Sequence, residues 1–348
     1  MQSADDRSDT SDEAAKVVSD DPLCISLFDV LYHCIDIDHP DSLMLRFLRA
    51  RKWEVPQAVE MLLDCLVWRF HFGIAELMRD PEALLPEWEL ASGKTYVYGV
   101  DKAGRPCFMI HIKHHDKSKS QLIDSQRLCA YQMEVGRLCM TGDSEAATTV
   151  FDMTGFSMMT NFDMGFIRFF VKCLEGYYPE CLSTALIVNA PWVFNSCWAI
   201  IKPLLDPVVS SKVKFIKKEQ VLEYIDADQL PSSFVGGTGP EWVYTPPSPE
   251  ERAQRDALFA DKVTRVRLVA EHRSAGDAWI RATQAWASAA AAPDIAAAAA
   301  ERAIGHQAVV KAYLAMSPYI RSKTVYHRTG RITDAGLGTQ ATWPMVSR

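Results

Sequence analysis

The chain has 348 residues, 48% of them hydrophobic and 23% charged, with a formal net charge of −7. Residues 1–21 hold seven acids against Arg7 and Lys16, so the rest of the chain is nearly neutral and shows no basic stripe suited to nucleic acid. The acidic, Ser/Asp-rich start lacks the basic and then apolar run of a secretory signal and is expected to be disordered.

After that tail, Pro22–Asp36 spaces its apolar residues as a helix does. His39-Pro40 breaks it, and Asp41 or Ser42 can cap a second helix over LMLRFLRA. Val55–Phe70 reads as a third, closing a small helical unit near Gly73. The period then changes. Lys94–Val100 and Pro106–Lys113 are strand-like and flank the turn Asp101-Lys102-Ala103-Gly104, which predicts a hairpin.

Gln121–Met140 reads as a helix, Ala147–Met153 as a strand and Asn161–Tyr178 as a very apolar helix. Ala185–Asn189 and Val213–Ile216 are two further strands around the segment 190–207, APWVFNSCWAIIKPLLDP. Strands alternating with helices imply a mostly parallel sheet with crossover helices. Ser248-Pro249-Glu250-Glu251 is a capping box that opens a long helix to about Ser288. The Ala-rich stretch 289–303 is low in complexity, and the segment from Tyr326 is expected to be poorly ordered.

Nine cysteines, at 24, 34, 65, 107, 129, 139, 173, 181 and 197, form no CxxC pair. They read as reduced core residues of an intracellular protein rather than a disulfide framework or zinc site. No G-x-S-x-G, P-loop or H-E-x-x-H occurs. Gly236-Gly237-Thr238-Gly239 precedes Pro240 rather than a helix and reads as a turn. His111, His114, His115 and Asp116 run into the solvated KSKS string without a further ligand at useful spacing, which speaks against a metal site. No nucleophile–base set suggests an enzyme.

The segment 190–207 is too short and too interrupted to span a bilayer, being broken by Lys202, Asp206 and three prolines. Its helical part, Val193–Leu205, is apolar nearly all round, as is the helix over Asn161–Tyr178. Two such helices beside one small sheet supply either a large core or the lining of a cavity. Composition does not decide between them.

Several strings resemble the CRAL–TRIO family, the fold of the Sec-fourteen-like phosphatidylinositol transfer proteins. They are LMLRFLRARKWEVPQA (43–58), GRP (104–106), FDMTGFSM (151–158), YYPECLSTALIVNAPWVFNSCWAIIKPLLDPVVSSK (177–212) and LPSSFVGG (230–237). They run in order over about residues 22–240, and the tail after Trp242 is similar to fungal members with a C-terminal helical extension. The resemblance implies an α/β fold: an N-terminal helical unit, then a mostly parallel sheet flanked by helices, with an apolar lipid pocket and a gate helix.

In those terms the chain divides into an acidic tail (1–21), a helical unit (22–73), a lipid-binding domain (90–240), a helical extension (248–325) and a terminal tail (326–348). The resemblance makes Val193–Leu205 the gate, with Trp192, Phe194, Trp198, Ile201, Leu204 and Leu205 as its gate and membrane-contact residues. A gate has a physical reason: each buried CH₂ is worth ~0.8 kcal/mol, so a lipid chain leaves through a bilayer rather than through water.

The family's head-group signature falls on Lys52, with Arg51 beside it, and on Glu180 and Lys212. Ammonium groups there would balance a phosphodiester, and the carboxylate would accept hydrogen bonds from inositol hydroxyls. Two positions depart from the pattern. Val209 stands where the phosphatidylinositol binders have threonine, and Ala147-Thr148-Thr149 keeps only Thr149 of the choline-lipid Ser-x-Thr.

The resemblance thus implies a cytoplasmic, non-enzymatic lipid carrier that docks transiently on membranes. Its ligand would be phosphatidylinositol, its partner a lipid kinase, and it would need no cofactor beyond the bound lipid. The rival readings are a sterol, squalene-like or other isoprenoid ligand, which Val209 and Ala147 favour, and a lipid-sensing regulatory or scaffold module. A haem-dependent enzyme is a poor third, because no axial-ligand pattern is present.

Overall fold

The computed structural model of the chain describes residues 26–140, 144–234, 236–289, 295–335 and 338–341. The acidic start and Cys24 lie outside them. The first helix, α1 (Leu27–Ile35), begins five residues later than the apolar spacing suggested. There Ser26 and Asp29 form a reciprocal capping box: the Asp29 N–H donates to Ser26 Oγ at 3.2 Å and the Ser26 N–H to Asp29 Oδ2 at 3.0 Å.

Helix α2 (Pro40–Ala50) is capped by neither Asp41 nor Ser42. His39 Nδ1 accepts from the Asp41 N–H at 3.1 Å, and Pro40 takes the first helical position, where its missing N–H costs nothing. Helix α3 (Val55–Phe72) ends at Gly73, whose φ of 74° is the left-handed stop that glycine supplies. Three short helices follow that the sequence pattern did not reveal: α4 (Ile74–Arg79), α5 (Pro81–Leu84) and α6 (Glu87–Ala91). At four to six residues they are too short to show a period.

The sheet has five strands in the order β1 (Thr95–Val100), β2 (Pro106–His111), β3 (Ala147–Asp152), β4 (Leu182–Val188) and β5 (Val213–Ile216). Strands β1 and β2 form the expected antiparallel hairpin, and β2 to β5 are parallel. The crossovers carry α7 (Leu122–Leu138), α8 (Met164–Lys172), α9 (Phe194–Ile201) and α10 (Pro207–Ser211). The apolar run after Asn161 is not one helix. Asp163 caps α8 by accepting from the Phe166 N–H at 3.1 Å, and Cys173–Tyr177 winds as a π-turn.

Side chains alternate across the sheet as the pleat demands. Cys107, Met109, Val150, Leu186 and Val188 pack one face against Val221, Ile225 and Leu230. Phe108, Ile110, Thr149, Phe151 and Ile187 face α7, α8 and α9 instead. Between β3 and β4 the register slips, from Ala147↔Leu182 to Thr148↔Thr184, so Ser183 is an extra residue. That extra residue turns both Leu182 and Ala185 to the helix side. Helix α7 lies very close to β2: a Cβ built on Gly136 would fall 1.9 Å from the Phe108 ring, so only glycine permits this approach.

The single long helix expected after Ser248 is two, α11 (Pro249–Ala260) and α12 (Lys262–Ser288). The break is at Asp261, whose carboxylate turns back to cap α12 by accepting from the Thr264 N–H at 3.0 Å. Residues 295–303 of the Ala-rich stretch belong to a third helix, α13 (Ile295–Met316), antiparallel to α12. Helix α12 packs on α1, with Gly276 against the Tyr32 ring and Arg273 paired to the buried Asp29 at 2.9 Å. Arg302 on α13 pairs with Asp41, and Arg321 beyond it with Asp36.

The segment from Tyr326 is likewise ordered as far as it is described. Helix α14 (Val325–Arg328) leads to a hairpin of β6 (Ile332–Ala335) and β7 (Gly338–Ala341). Val325, Tyr326 and Ile332 are buried with Val97, Leu128 and Val135, and the Tyr326 hydroxyl accepts from the Val97 N–H at 2.7 Å. Strand β1 is the sheet edge, so this contact satisfies a donor that would otherwise lack a partner.

Candidate functional site

Between the sheet and α7, α8 and α9 lies a cavity of about 240 Å³. Its floor is the helix-side set of sheet residues, and its far wall is the phenylalanine face of α8, with Phe166 and Phe170. Cavity, rather than solid core, is therefore the use to which the two apolar helices are put. No described helix is long and apolar enough to cross a membrane.

Helix α9 closes one side. No side chain caps its N-terminus, and it runs on as a 3₁₀ turn over Lys202–Leu204. The residues expected here, on α9 and its two flanks, divide between an inward and an outward side. Phe194, Trp198, Ile201 and Leu205 line the cavity, with Phe194 buried edge-on against Phe156 and Trp198 edge-on against Phe215 at 5.2 Å. Trp192, 84% exposed, and Leu204 face outward together with Ile200. Phe194 and Trp198 are therefore inward-facing, and of the two tryptophans in this segment Trp192 is the one presented to solvent.

At the end of the cavity formed by the N-termini of β4 and β5, Glu180 and Lys212 meet. Lys212 Nζ stands 3.7 Å from Glu180 Oε2, with both side chains partly solvated. The strands cause this meeting: the Ala185 N–H donates to the Lys212 carbonyl at 2.9 Å, and Val213 sits opposite Ala185. Glu180 is held at φ 58°, a left-handed turn just ahead of β4. Their chain neighbours Cys181 and Val213 line the cavity, so the pair sits on its rim. Val209 and Thr149 line the cavity as well.

Arg51 and Lys52 occupy the turn between α2 and α3, where Lys52 and Trp53 take φ of 51° and 69°. Arg51 faces Glu175, whose Oε1 accepts from the Asp206 N–H at 2.6 Å. Burial raises the Glu175 carboxyl; the hydrogen bond from the Asp206 N–H and the Arg51 charge oppose this without cancelling it. The structure thus brings Glu180 and Lys212 together and places Arg51 at the π-turn beside α10. Lys52 is exposed and pairs with no carboxylate among the described residues.

Behind the π-turn lies a buried charge cluster that sequence reasoning missed. Arg69 on α3 binds Glu134 on α7 through two hydrogen bonds of 2.7 and 2.9 Å, and the Tyr178 hydroxyl donates to the same carboxylate at 2.6 Å. Arg137 pairs with Asp38 at 2.9 Å. Burial pushes the Glu134 carboxyl up, but Arg69, Arg137 and the Tyr178 hydroxyl together outweigh it and the group is lowered to about 2. This cluster ties the N-terminal helices to α7. Trp68 reinforces it by stacking on Tyr177 at 3.9 Å.

Three further polar groups missed in the sequence line the cavity: Lys94, Ser125 and Gln132. Lys94 pairs with the fully buried Glu89 at 2.5 Å and donates to Ser125 at 3.4 Å. Ser125 and Gln132 share a face of α7 with Leu128 and Cys129, so the signal available was a polar residue on an apolar stripe. His111 is engaged by the Tyr96 hydroxyl at 2.9 Å and by Asp152 at 3.4 Å. Among the described residues, no group of three His, Cys, Asp or Glu could hold a metal.

A sheet floor, helical walls and a half-exposed apolar helix over the opening define an α/β domain built around an enclosed apolar space. Residues 90–237 match the CRAL/TRIO domain family and residues 16–64 its N-terminal domain. The chain belongs to the CRAL/TRIO family. It is 36% identical to the CRAL-TRIO domain-containing protein C3H8.02 of Schizosaccharomyces pombe, over 86% of this chain and 68% of that one. It is 31% identical to the phosphatidylinositol transfer protein CSR1 of Eremothecium gossypii, over 85% and 69%. Identity to the SEC14 cytosolic factor of Candida glabrata is 29%, over 56% and 70%.

Proposed function

We propose that the protein binds a lipid in this cavity and transfers it between membranes without converting it, and that phosphatidylinositol is the ligand. The observation that carries the reading is the Glu180–Lys212 pair at 3.7 Å on the rim of an apolar cavity. A phosphodiester finds an ammonium there, inositol hydroxyls find a carboxylate, and the acyl chains find the apolar interior. The relative named as a phosphatidylinositol transfer protein supports the same ligand. Docking is transient, through the outward face of α9, and the delivered lipid is available to a lipid kinase.

Organic extraction of the purified protein followed by mass spectrometry tests this directly. Phosphatidylinositol is the expected bound lipid. The protein should also move it between vesicles, chemically unchanged, with no nucleotide or metal added. Recovery of a modified lipid, or failure to take up phosphatidylinositol at all, overturns the reading.

A further inference from the structure

Outside the cavity, two neighbouring surface loops display apolar and basic side chains together. The loop after β3 exposes Met158 and Met159, the latter by 84%. The loop after β2 exposes Lys113, Lys117 and Lys119. The two loops are fastened to each other. The Lys117 N–H donates to the Thr160 carbonyl at 3.0 Å, Lys117 Nζ to the Phe162 carbonyl at 3.1 Å, and the Asn161 side-chain amide to the His115 carbonyl. Asn161 also braces the methionine loop from within, its Oδ1 accepting from the Ser157 N–H at 2.6 Å. The methionines are thus held out on a fixed loop, where exposed apolar surface marks a contact site.

The patch continues onto both apolar helices. Asn189 Nδ2 donates to Thr154 Oγ1 at 3.2 Å and the Phe156 ring meets Phe194 at 5.4 Å, which sets the methionine loop beside the turn that bears Trp192. On its other side the half-exposed Leu122 lies against Gly165 at the start of α8. Charge is distributed unevenly. Residues 113–122, 153–172 and 189–205, from which this surface is built, hold six Lys or Arg against two Asp, in a chain of formal net charge −7. Both acids are engaged locally. Asp163 caps α8, while Asp116 accepts from the Ser118 N–H at 3.0 Å and stands 3.6 Å from Lys119 Nζ.

We propose that this patch docks the protein on negatively charged bilayers, with Met158, Met159 and Trp192 entering the interface and the surrounding Lys and Arg side chains facing anionic head groups. Apolar side chains alone would hold any membrane, and a few cations alone would hold one weakly; combined, they make attachment depend on lipid charge. The site is separate from the Glu180–Lys212 rim. That pair sits at the N-termini of β4 and β5, whereas these loops leave the opposite ends of β2 and β3. The inference rests on the reading that the protein meets membranes beside α9, but not on which lipid the cavity holds.

The test measures binding of the full chain to phosphatidylcholine vesicles with and without phosphatidylserine, at low and high salt, with phosphatidylinositol uptake followed in parallel. At low salt the wild type should bind the serine-lipid vesicles about tenfold more tightly, and high salt should erase the difference. Lys113→Gln, Lys119→Gln and Arg168→Gln combined should abolish the preference with melting and binding to pure phosphatidylcholine unchanged; Lys117 is kept because it holds the loop. Met158→Ser with Met159→Ser should weaken binding to both vesicles and leave the preference intact.

Equal binding of the wild type to both vesicles overturns the proposal and needs no variant. So does an equal loss of preference in Arg252→Gln, Lys311→Gln and Lys323→Gln combined, which removes the same charge from the helical extension. A dimer in sedimentation that Met158→Ser and Met159→Ser dissolve also overturns it, by giving the patch to a second copy of the chain. If the preference maps to the patch but phosphatidylinositol is not taken up, the rim reading fails and this one stands. Uptake of phosphatidylinositol without any charge preference separates them the other way.

Discussion

The Val97 N–H donates to the Tyr326 hydroxyl at 2.7 Å, joining the edge strand of the sheet to a segment 229 positions later. The last described part of the chain is thereby part of the core. Tyr326→Phe should leave a buried donor without its partner and cost about 1–3 kcal/mol, read as a lower melting temperature. Truncation before Ser317 should cost more, because it also exposes the pocket that Val325 and Ile332 fill. Unchanged melting in both proteins would show the segment to be dispensable.

Acid should weaken the protein in two stages. Burial lowers His272 from 6.5 to about 4, so the unfolded chain takes up its proton first. The stability that depends on neutral His272 is therefore complete above pH 6.5 and is lost as the pH falls toward 4. Glu134 has its folded value depressed from 4.5 to about 2, so its contribution holds above pH 4.5 and disappears toward pH 2. Its size is on the order of 3 kcal/mol. Denaturation midpoints measured from pH 7 to pH 2.5 should show both declines, and His272→Phe should shrink only the upper one, to which His33, lowered by burial to about 4 as well, also contributes. A flat profile between pH 6.5 and 4.5 in the wild type would contradict this account.

At the rim, Lys212→Ala removes an ammonium able to make a charge-assisted bond of about 1.5–3 kcal/mol, so phosphatidylinositol transfer should fall about ten- to hundredfold. Glu180→Ala should weaken the inositol lipid selectively. Because both side chains are partly solvated, their mutual ion pair adds little to folding, and melting temperatures should move little. Normal phosphatidylinositol transfer by both folded variants would remove the basis for a head-group site here.

The two faces of α9 should respond differently to charge. Trp192 is 84% exposed, so Trp192→Glu should leave melting unchanged and slow exchange with vesicles, since it puts a charge where bilayer contact is proposed. Phe194 is 7% exposed, so Phe194→Asp should instead depress melting strongly by burying an unpaired carboxylate. Stability and exchange measured together on each variant distinguish the faces. Exchange at the wild-type rate by Trp192→Glu would remove α9 as the docking surface.

How much of this was legible depends on the length of the signal. Strand β5 was readable to the residue, because VKFI is short, β-rich and bounded by turns. The hairpin of β1 and β2 announced itself through Asp101–Gly104. Helix ends were less readable where a cap is unusual: His39 served in place of Asp41 or Ser42, and Asp261 interrupted what looked continuous. The ordering of Tyr326 and Ile332 depends on a sheet edge more than two hundred residues away, which no local pattern can report. The spacing that unites Glu180 with Lys212 came from family resemblance. Gln132 had no such aid, since one amide on an apolar stripe is visible only once the cavity is.

The contact between Gly136 and Phe108 has a bearing on how this cavity can change over evolution. Helix α7, which carries Gln132, is pressed to the sheet so closely that no other residue fits, whereas α9 opposite has no capping side chain. On the proposed lipid-carrier reading, the two walls would govern different steps. Substitutions on the riveted side should alter which molecule is retained. Those on the looser side should alter how long it stays, so a lineage can retune residence time without surrendering its choice of cargo.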